Sequence, residues 1–201
     1  MNIVLATTNP HKIDEMGTLL AGTGLQLLSL ANFDIIEAPE ENALTFAGNA
    51  RIKAIAYAKA TGVPALADDS GICIDALGDA PGVHSARWAG PGSGAAEWIA
   101  KTLEMLAGVP DSGRGARYVC AFCLAFPDGT VVAESEGTFE GRIAHSSAGD
   151  GGFGYDPIFL IGPDFQQTAA QITAEQKNAV SHRGVAARRL IELLSKSQTT
   201  T

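Results

Sequence analysis

The sequence contains few cysteines, few cations and no long apolar run. Three cysteines, an odd number, argue against a disulfide framework and predict a reducing, cytoplasmic location. No apolar run approaches the ~20 residues that cross a bilayer, so no membrane partner is expected. Fourteen Lys and Arg residues against 22 Asp and Glu give a net charge of −8. Since non-specific binding to nucleic acid depends on neutralising phosphates, no nucleic-acid partner is expected.

Several common site patterns are also missing. Cys120 and Cys123 form a C-x-x-C motif in a predicted strand, where positions three apart face opposite sides, and no second cysteine pair completes a zinc site. The G-x-x-x-x-G-K-[ST] pattern of a Walker A loop is absent. Residues 1–5 carry no basic segment and predict a strand instead of a signal peptide. The polar tail 197–201 is predicted to fray.

Two adjacent carboxylates are the most distinctive feature present. Asp68 and Asp69 follow the apolar run 63–66 and precede Ser70 and Gly71, which places them at the end of a predicted strand. One or two carboxylates that act together with substrate phosphates are typical of Mg²⁺ sites. A β-turn is the competing interpretation, because Asp, Ser and Gly all favour turns.

Residues 2–12 predict a strand, a tight polar turn and a helix. Asn9 suits the N-cap and Pro10 the first helical position. A helix N-terminus attracts anions through its exposed N–H groups. Lys12 in the first turn opposes the helix dipole unless a negative ligand lies there, which indicates an anion site. A plain capped helix is the alternative.

A second helix is predicted over residues 43–60, with an apolar inner stripe. Glu40 and Glu41 precede this helix, where they either stabilise its N-terminus or join the aspartates at a metal ion. A hairpin is predicted over 117–137, around Pro127-Asp128-Gly129. We expect a single domain over 1–201, with this hairpin in a second lobe.

Two further stretches combine flexible backbone, aromatic rings and cations. Residues 149–159 contain Gly151, Gly152 and Gly154 interleaved with Phe153 and Tyr155, which suits a phosphate cradle, a platform for a flat ring or a simple turn. Residues 173–184 bring Lys177, His182 and Arg183 to the start of a helix. In an acidic chain such a concentration of cations indicates an anionic ligand.

Together these features suit a nucleoside triphosphate. Mg²⁺ bridges phosphates, cations balance the remaining charge and a glycine–aromatic slot holds the base. No serine–histidine–aspartate or catalytic-cysteine arrangement is evident, so attack by activated water is the favoured reaction.

The ordered motifs resemble the inosine/xanthosine triphosphate pyrophosphatase family, also called Ham1-like. The resemblance runs from Leu5 to about Leu194. Six motifs support it: 6–12, 40–50, 67–71, 80–87, 151–159 and 181–184. Thr8 departs from the family, which usually has glycine at this position.

The resemblance implies an elongated, two-lobed α/β fold with a long mixed β-sheet and flanking helices. It implies Mg²⁺-dependent hydrolysis of ITP, dITP and XTP to the monophosphate and pyrophosphate by a homodimer. Asp69 is implied as proton acceptor and, with Glu40 or Glu41, as metal ligand. The implied substrate-binding residues are Thr7, Thr8, Asn9, Pro10, His11, Lys12, Ser70, Phe153, Gly154, Tyr155, Asp156, Lys177, His182 and Arg183.

Two other functions fit the same motifs. One is a nucleotide-binding regulator without catalysis, which the intact Lys12, Asp69 and Lys177 argue against. The other is a pyrophosphatase of modified pyrimidine triphosphates. For purines, hypoxanthine and xanthine carry a 6-oxo group where adenine carries an amino group. Donors near His182 or Arg183 would therefore discriminate against ATP.

Overall fold

The structure is a computed structural model that describes residues 1–33 and 37–198, with side chains described as far as residue 196. Of the tail predicted to fray, residues 199–201 lie outside the described residues. Within the described part of the chain, no helix is both long and apolar enough to cross a membrane.

The described residues form a mixed β-sheet with helices. The strands are β1 (Asn2–Leu5), β2 (Gln26–Ser29), β3 (Ala65–Ile74), β4 (Gly115–Ala125), β5 (Val131–Ile143), β6 (Phe159–Ile161) and β7 (Gln167–Thr168). The helices are α1 (Pro10–Leu19), α2 (Phe46–Thr61), α3 (Ala95–Met105), α4 (Ala174–Val180) and α5 (His182–Gln198). The strand order is β2-β1-β3-β4-β5-β6-β7. β1 pairs parallel with β2 and β3, whereas β6 pairs antiparallel with β5 and β7, which confirms the α/β prediction.

The chain divides into two compact units. Unit 1 comprises residues 1–69, 120–137 and 183–201, and unit 2 comprises 70–119 and 138–182. The predicted hairpin is divided between the two units, because β4 and β5 each contribute to both. Its residues 120–137 belong to unit 1 and its residues 117–119 belong to unit 2. The assignment of the whole chain to a single domain stays a prediction.

The core of unit 1 forms where β1, β3 and β4 meet the inner faces of α1 and α5. Phe122 of β4 and Leu190 of α5 are among its fully buried side chains. Asn9 caps α1 as predicted, since its side chain accepts a hydrogen bond from the backbone N–H of His11. α2 begins at Phe46, three residues later than predicted, because Thr45 provides its N-cap.

The core of unit 2 packs α3 against strand residues of β3, β4 and β5. Ile74, Leu106 and Phe159 are fully buried there. Nearby, the buried Arg114 guanidinium donates to the backbone carbonyls of Ile143 and Ala144, which compensates for its removal from water.

The two predictions for Asp68 and Asp69 that placed them at a strand end or in a turn are wrong. Both residues lie in the middle of the ten-residue strand β3, and nine of its ten residues are buried. The strand continues past them because apolar segments on both sides, 65–67 and 72–74, enter hydrophobic surroundings.

The cysteines of the C-x-x-C motif are inert. Cys120 and Cys123 both lie in β4 and are free and buried. Burial raises the pKa of each thiol to about 12, so neither forms a thiolate near neutral pH.

Candidate active site

The N-terminus of α1 has the geometry that the sequence predicted. The side chain of Thr7 accepts from the backbone N–H of Asn9 at 3.2 Å, and Asn9 in turn caps the helix. Thr8, Pro10 and His11 are exposed. The turn is therefore held by its own side chains and leaves an accessible helix N-terminus, which favours an anion.

Asp68 pairs with cations from two distant parts of the chain. Its Oδ2 lies 2.8 Å from Nζ of Lys12 and 3.7 Å from Nη2 of Arg183. Burial opposes the ionisation of Asp68, but Lys12 and Arg183, assisted by Lys53, outweigh it and hold its pKa well below the usual range. Asp68 is thus an ionised, buried counter-ion between two cations.

Asp69, its neighbour, has different partners. Nδ2 of Asn49 donates to its Oδ2 at 3.1 Å, and Nζ of Lys53 to its Oδ1 at 3.2 Å. The same ammonium group donates to Oε2 of Glu41 at 2.8 Å, so it lies between two carboxylates. Burial raises the pKa of Asp69 and outweighs the opposing effects of Lys53 and Asn49. The adjacent aspartates therefore belong to different electrostatic environments.

The residues around Asp69 fit a magnesium ion. Glu41 and Asp69 are hard oxygen donors that already share one cation, the Lys53 ammonium, and Mg²⁺ commonly takes one or two carboxylates together with substrate phosphates. Glu40 is exposed, whereas Glu41 is half-buried. Across the described residues, no three His, Cys, Asp or Glu side chains form a ready-made metal site.

Three residues of the unit 1 site were not assigned a role from the sequence: Asn49, Lys53 and Glu15. Asn49 and Lys53 are four apart on α2 and so share one face, beside the apolar stripe. Two polar residues at this spacing, on the helix that follows Glu40 and Glu41, were the sequence signal from which their place in the site could have been predicted. Glu15 pairs with Arg183, a contact across 168 residues that no local pattern indicates.

In unit 2, the glycine–aromatic loop is organised around the carboxylate of Asp156. This side chain is 2% exposed. Its Oδ2 accepts from the backbone N–H of Phe153 at 2.8 Å and from Nζ of Lys177 at 2.6 Å, and its Oδ1 accepts from the Tyr118 hydroxyl at 3.2 Å. A side chain at Gly152, where φ is +68°, would overlap this carboxylate, so the turn requires glycine.

The two aromatic residues of the loop have different positions. Phe153 is half-buried, and Nζ of Lys177 lies 4.6 Å from the centre of its ring. Tyr155 is 3% exposed, donates its hydroxyl to the carbonyl of Ser85 and stacks against Trp98. Its side chain is therefore part of the unit 2 core, which leaves only its backbone for a ligand.

The remaining predicted residues, His182 and Ser70, are also in unit 2. The ring of His182 is stacked on Tyr118, with centroids 4.7 Å apart, and is 5% exposed. Ser70 is half-buried within β3. The structure thus groups Lys12, Asp68, Asp69, Glu41 and Arg183 in unit 1, and Phe153, Asp156, Lys177 and His182 in unit 2.

Comparison with known proteins assigns the chain to a family. A model of the Ham1 family matches residues 3–193. A dITP/XTP pyrophosphatase from Thioalkalivibrio sulfidiphilus (strain HL-EbGR7) is 49% identical over 195 residues, covering 96% of this chain and 98% of that protein. A dITP/XTP pyrophosphatase from Streptomyces coelicolor (strain ATCC BAA-471 / A3(2) / M145) is 46% identical over 195 residues, covering 96% of each.

Solved structures agree with the sequence match. A HAM1 protein from Coxiella burnetii has a TM-score of 0.88 at 43% identity and covers 98% of this chain and 99% of its own. A nucleoside-triphosphatase / dITP/XTP pyrophosphatase from Mycobacterium abscessus ATCC 19977 / DSM 44196 has a TM-score of 0.78 at 42% identity, covering 96% of this chain and 100% of its own. Sequence and fold agree over almost the full length, and the chain belongs to the Ham1 family.

Proposed function

We propose that this protein is a hydrolase that converts non-standard purine nucleoside triphosphates (ITP, dITP and XTP) to the monophosphate and pyrophosphate. Relatives at 49% and 46% identity are named dITP/XTP pyrophosphatases, which supports the substrate class. The observation that carries the proposal is that the two adjacent aspartates have different partners. Asp68 is paired with cations, whereas Asp69 shares the Lys53 ammonium with a second carboxylate, Glu41. Such a site suits a triphosphate and a metal ion together.

Glu41 and Asp69 are the proposed magnesium ligands. When bound, Mg²⁺ supplies Lewis acidity toward the phosphoryl oxygens. The structure supports Glu41 over Glu40, since only Glu41 is joined to Asp69 through a common cation. Lys53 holds the two carboxylates together at a place where their mutual repulsion would otherwise separate them.

Asp69 is the proposed proton acceptor. Its Oδ2 is oriented by Nδ2 of Asn49, which fixes the rotation of the carboxylate. A fixed carboxylate within reach of the attacking water can accept its proton as the bond to phosphorus forms. Attack of the water on the α-phosphorus breaks the anhydride bond between the α- and β-phosphates, which leaves the monophosphate and releases pyrophosphate as the leaving group.

Lys12 and the N-terminus of α1 are the proposed phosphate contacts, with Thr7, Thr8, Asn9, Pro10 and His11. Lys12 is already charge-paired with Asp68, and its side chain is 17% exposed. A partly exposed ammonium beside a helix N-terminus can bind a phosphate without leaving its counter-ion.

The loop of unit 2 is proposed to contact the nucleoside, through the ring of Phe153 and the backbone of Gly154, Tyr155 and Asp156. Ser70, Lys177, His182 and Arg183 complete the proposed substrate set. A donor directed at a 6-oxo group rejects a 6-amino group, because the amino group leaves the donor unpaired. Such mismatches lower kcat/KM by up to ~10⁴-fold.

We also propose that the protein is a cytoplasmic homodimer. Three free, buried cysteines are consistent with a reducing compartment. Static light scattering at micromolar concentration tests the oligomeric state, and a mass near the 20.8 kDa of one chain would contradict the dimer.

Product identification over a nucleotide panel tests the proposed activity. ITP, dITP, XTP, GTP, ATP, dUTP and methylated dTTP are incubated with and without Mg²⁺. The proposal predicts pyrophosphate and monophosphate from ITP, dITP and XTP, and only with the metal. Orthophosphate and IDP would show that the wrong bond was assigned. Tight binding of ITP without turnover would support a regulator, and preference for the pyrimidines would support the modified-pyrimidine enzyme.

A further inference from the structure

Glu15 connects α1, the helix of the proposed phosphate site, to Arg183 at the start of α5. Oε2 of Glu15 accepts a hydrogen bond from Nη1 of Arg183 in an ion pair. The Arg183 side chain is 2% exposed and the Glu15 side chain 17%. Burial alone would lower the pKa of Arg183, but Asp68 and Glu15 outweigh it and raise the pKa. A buried guanidinium is stable only when it is paired, so its position depends on these carboxylates.

The pair belongs to a larger ionic ring within unit 1. Oδ2 of Asp68 contacts Arg183 at 3.7 Å and Lys12 at 2.8 Å, so one carboxylate oxygen serves two cations. Lys12 and Glu15 are three residues apart on α1 and are therefore neighbours on its surface. The ring runs from Glu15 to Arg183, Asp68 and Lys12, and the backbone of α1 closes it.

Two members of this ring, Glu15 and the counter-ion Asp68, have no proposed contact to substrate, metal or reacting proton, whereas Lys12 and Arg183 are proposed substrate contacts. We propose that Glu15 is a positioning residue, which holds Arg183 in place and leaves Asp68 available to orient Lys12. Without Glu15, Asp68 remains as a carboxylate that is paired with both cations. Arg183 then moves toward Asp68 and competes with Lys12 for the same oxygen. This inference rests on the proposed function, in which both cations contact the substrate.

Substitution of Glu15 tests the inference through substrate kinetics. In Glu15→Ala we expect kcat/KM for ITP to fall about 10- to 100-fold, the range expected for a misplaced substrate-binding group. The loss should lie mainly in KM, because the proposed proton acceptor Asp69 has other partners. Glu15→Gln should lose less, since its amide oxygen can still accept from Nη1 of Arg183. The matched control is Asp14→Asn, the exposed neighbour on α1, which should stay within about twofold.

A double-mutant cycle with Arg183→Ala separates positioning from general stability. If Glu15 acts through Arg183, adding Glu15→Ala to Arg183→Ala should change kcat/KM by no more than about twofold. Additive losses, or a Glu15→Ala enzyme as active as Asp14→Asn, would overturn the inference. Thermal unfolding of each variant is followed in parallel, and Glu15→Gln decides the question if Glu15→Ala does not fold. A wild-type protein that releases no pyrophosphate from ITP would instead refute the proposed function, and this inference with it.

Discussion

Different kinds of contact hold the side chains of the unit 1 site and of the unit 2 loop in place. In unit 1, buried charges from α1, α2, β3 and α5 pair with each other, and the ion pairs join residues far apart in sequence. In unit 2, one carboxylate, Asp156, gathers a backbone N–H, a hydroxyl and an ammonium around a tight glycine turn. The unit 1 site therefore depends mainly on paired charges, whereas the unit 2 loop also depends on the close fit of its glycine turn around Asp156.

This difference determines which substitutions should damage each region. Removing a charge without changing size should disrupt the unit 1 site, where Glu15, Asp68 and Asp69 each pair with a cation away from bulk water. Adding a single methyl group should disrupt the unit 2 loop, where the backbone passes close to Asp156 and has no room for it.

The largest effect is expected for Asp69→Asn, which removes charge and basicity but retains size. Loss of the proton acceptor and a metal ligand should lower kcat by about 10³-fold or more. Steady-state release of pyrophosphate from ITP measures this loss, with Asp14→Asn as the isosteric control. If the kcat of Asp69→Asn is within tenfold of the wild-type value, Asp69 is not the proton acceptor.

Gly152→Ala tests the contrasting claim about shape. The new methyl group would overlap the Asp156 carboxylate and displace the Phe153 N–H, so kcat/KM should fall about 10²-fold. Gly108→Ala is the matched control, because Gly108 also has a positive φ, +79°, but open space around its Cβ position. Equal losses of activity in the two variants would show that backbone strain, and not overlap with Asp156, explains the effect.

A comparison of Glu41→Gln with Glu40→Gln tests the metal assignment. Glu41→Gln should raise the Mg²⁺ concentration for half-maximal activity about 10-fold or more, within the range seen when groups around a metal are altered. Glu40 is exposed, and Glu40→Gln should leave that concentration within about twofold. The reverse order of effects would assign the ligand to Glu40.

Local patterns were enough to predict most elements of the fold. Asn9 and Pro10 marked the start of α1, and the Pro127-Asp128-Gly129 turn marked the hairpin between β4 and β5. The residue types of the site were also recognisable, because adjacent carboxylates and a glycine–aromatic run are distinctive. These signals are short-range, so they identify a motif without its partners.

The missing information was long-range. Asp68 and Asp69 suggested a strand end or a turn because their propensities favour turns, and buried cations from other segments allow them to lie inside β3. Tyr155 belonged to a motif that suggested substrate contact, but its side chain packs on Trp98. The pairing of Glu15 with Arg183 depends on how α1 and α5 pack, which no local sequence window contains.

The most direct test is phosphorus NMR of ITP turnover with Mg²⁺ by wild-type protein and by Asp69→Asn, with ITP binding to both measured separately. We predict one pyrophosphate for each IMP from the wild-type enzyme. The variant should bind ITP but release almost no pyrophosphate. IDP and orthophosphate from wild type, or equal pyrophosphate release by both proteins, would contradict the proposed reaction and the role of Asp69.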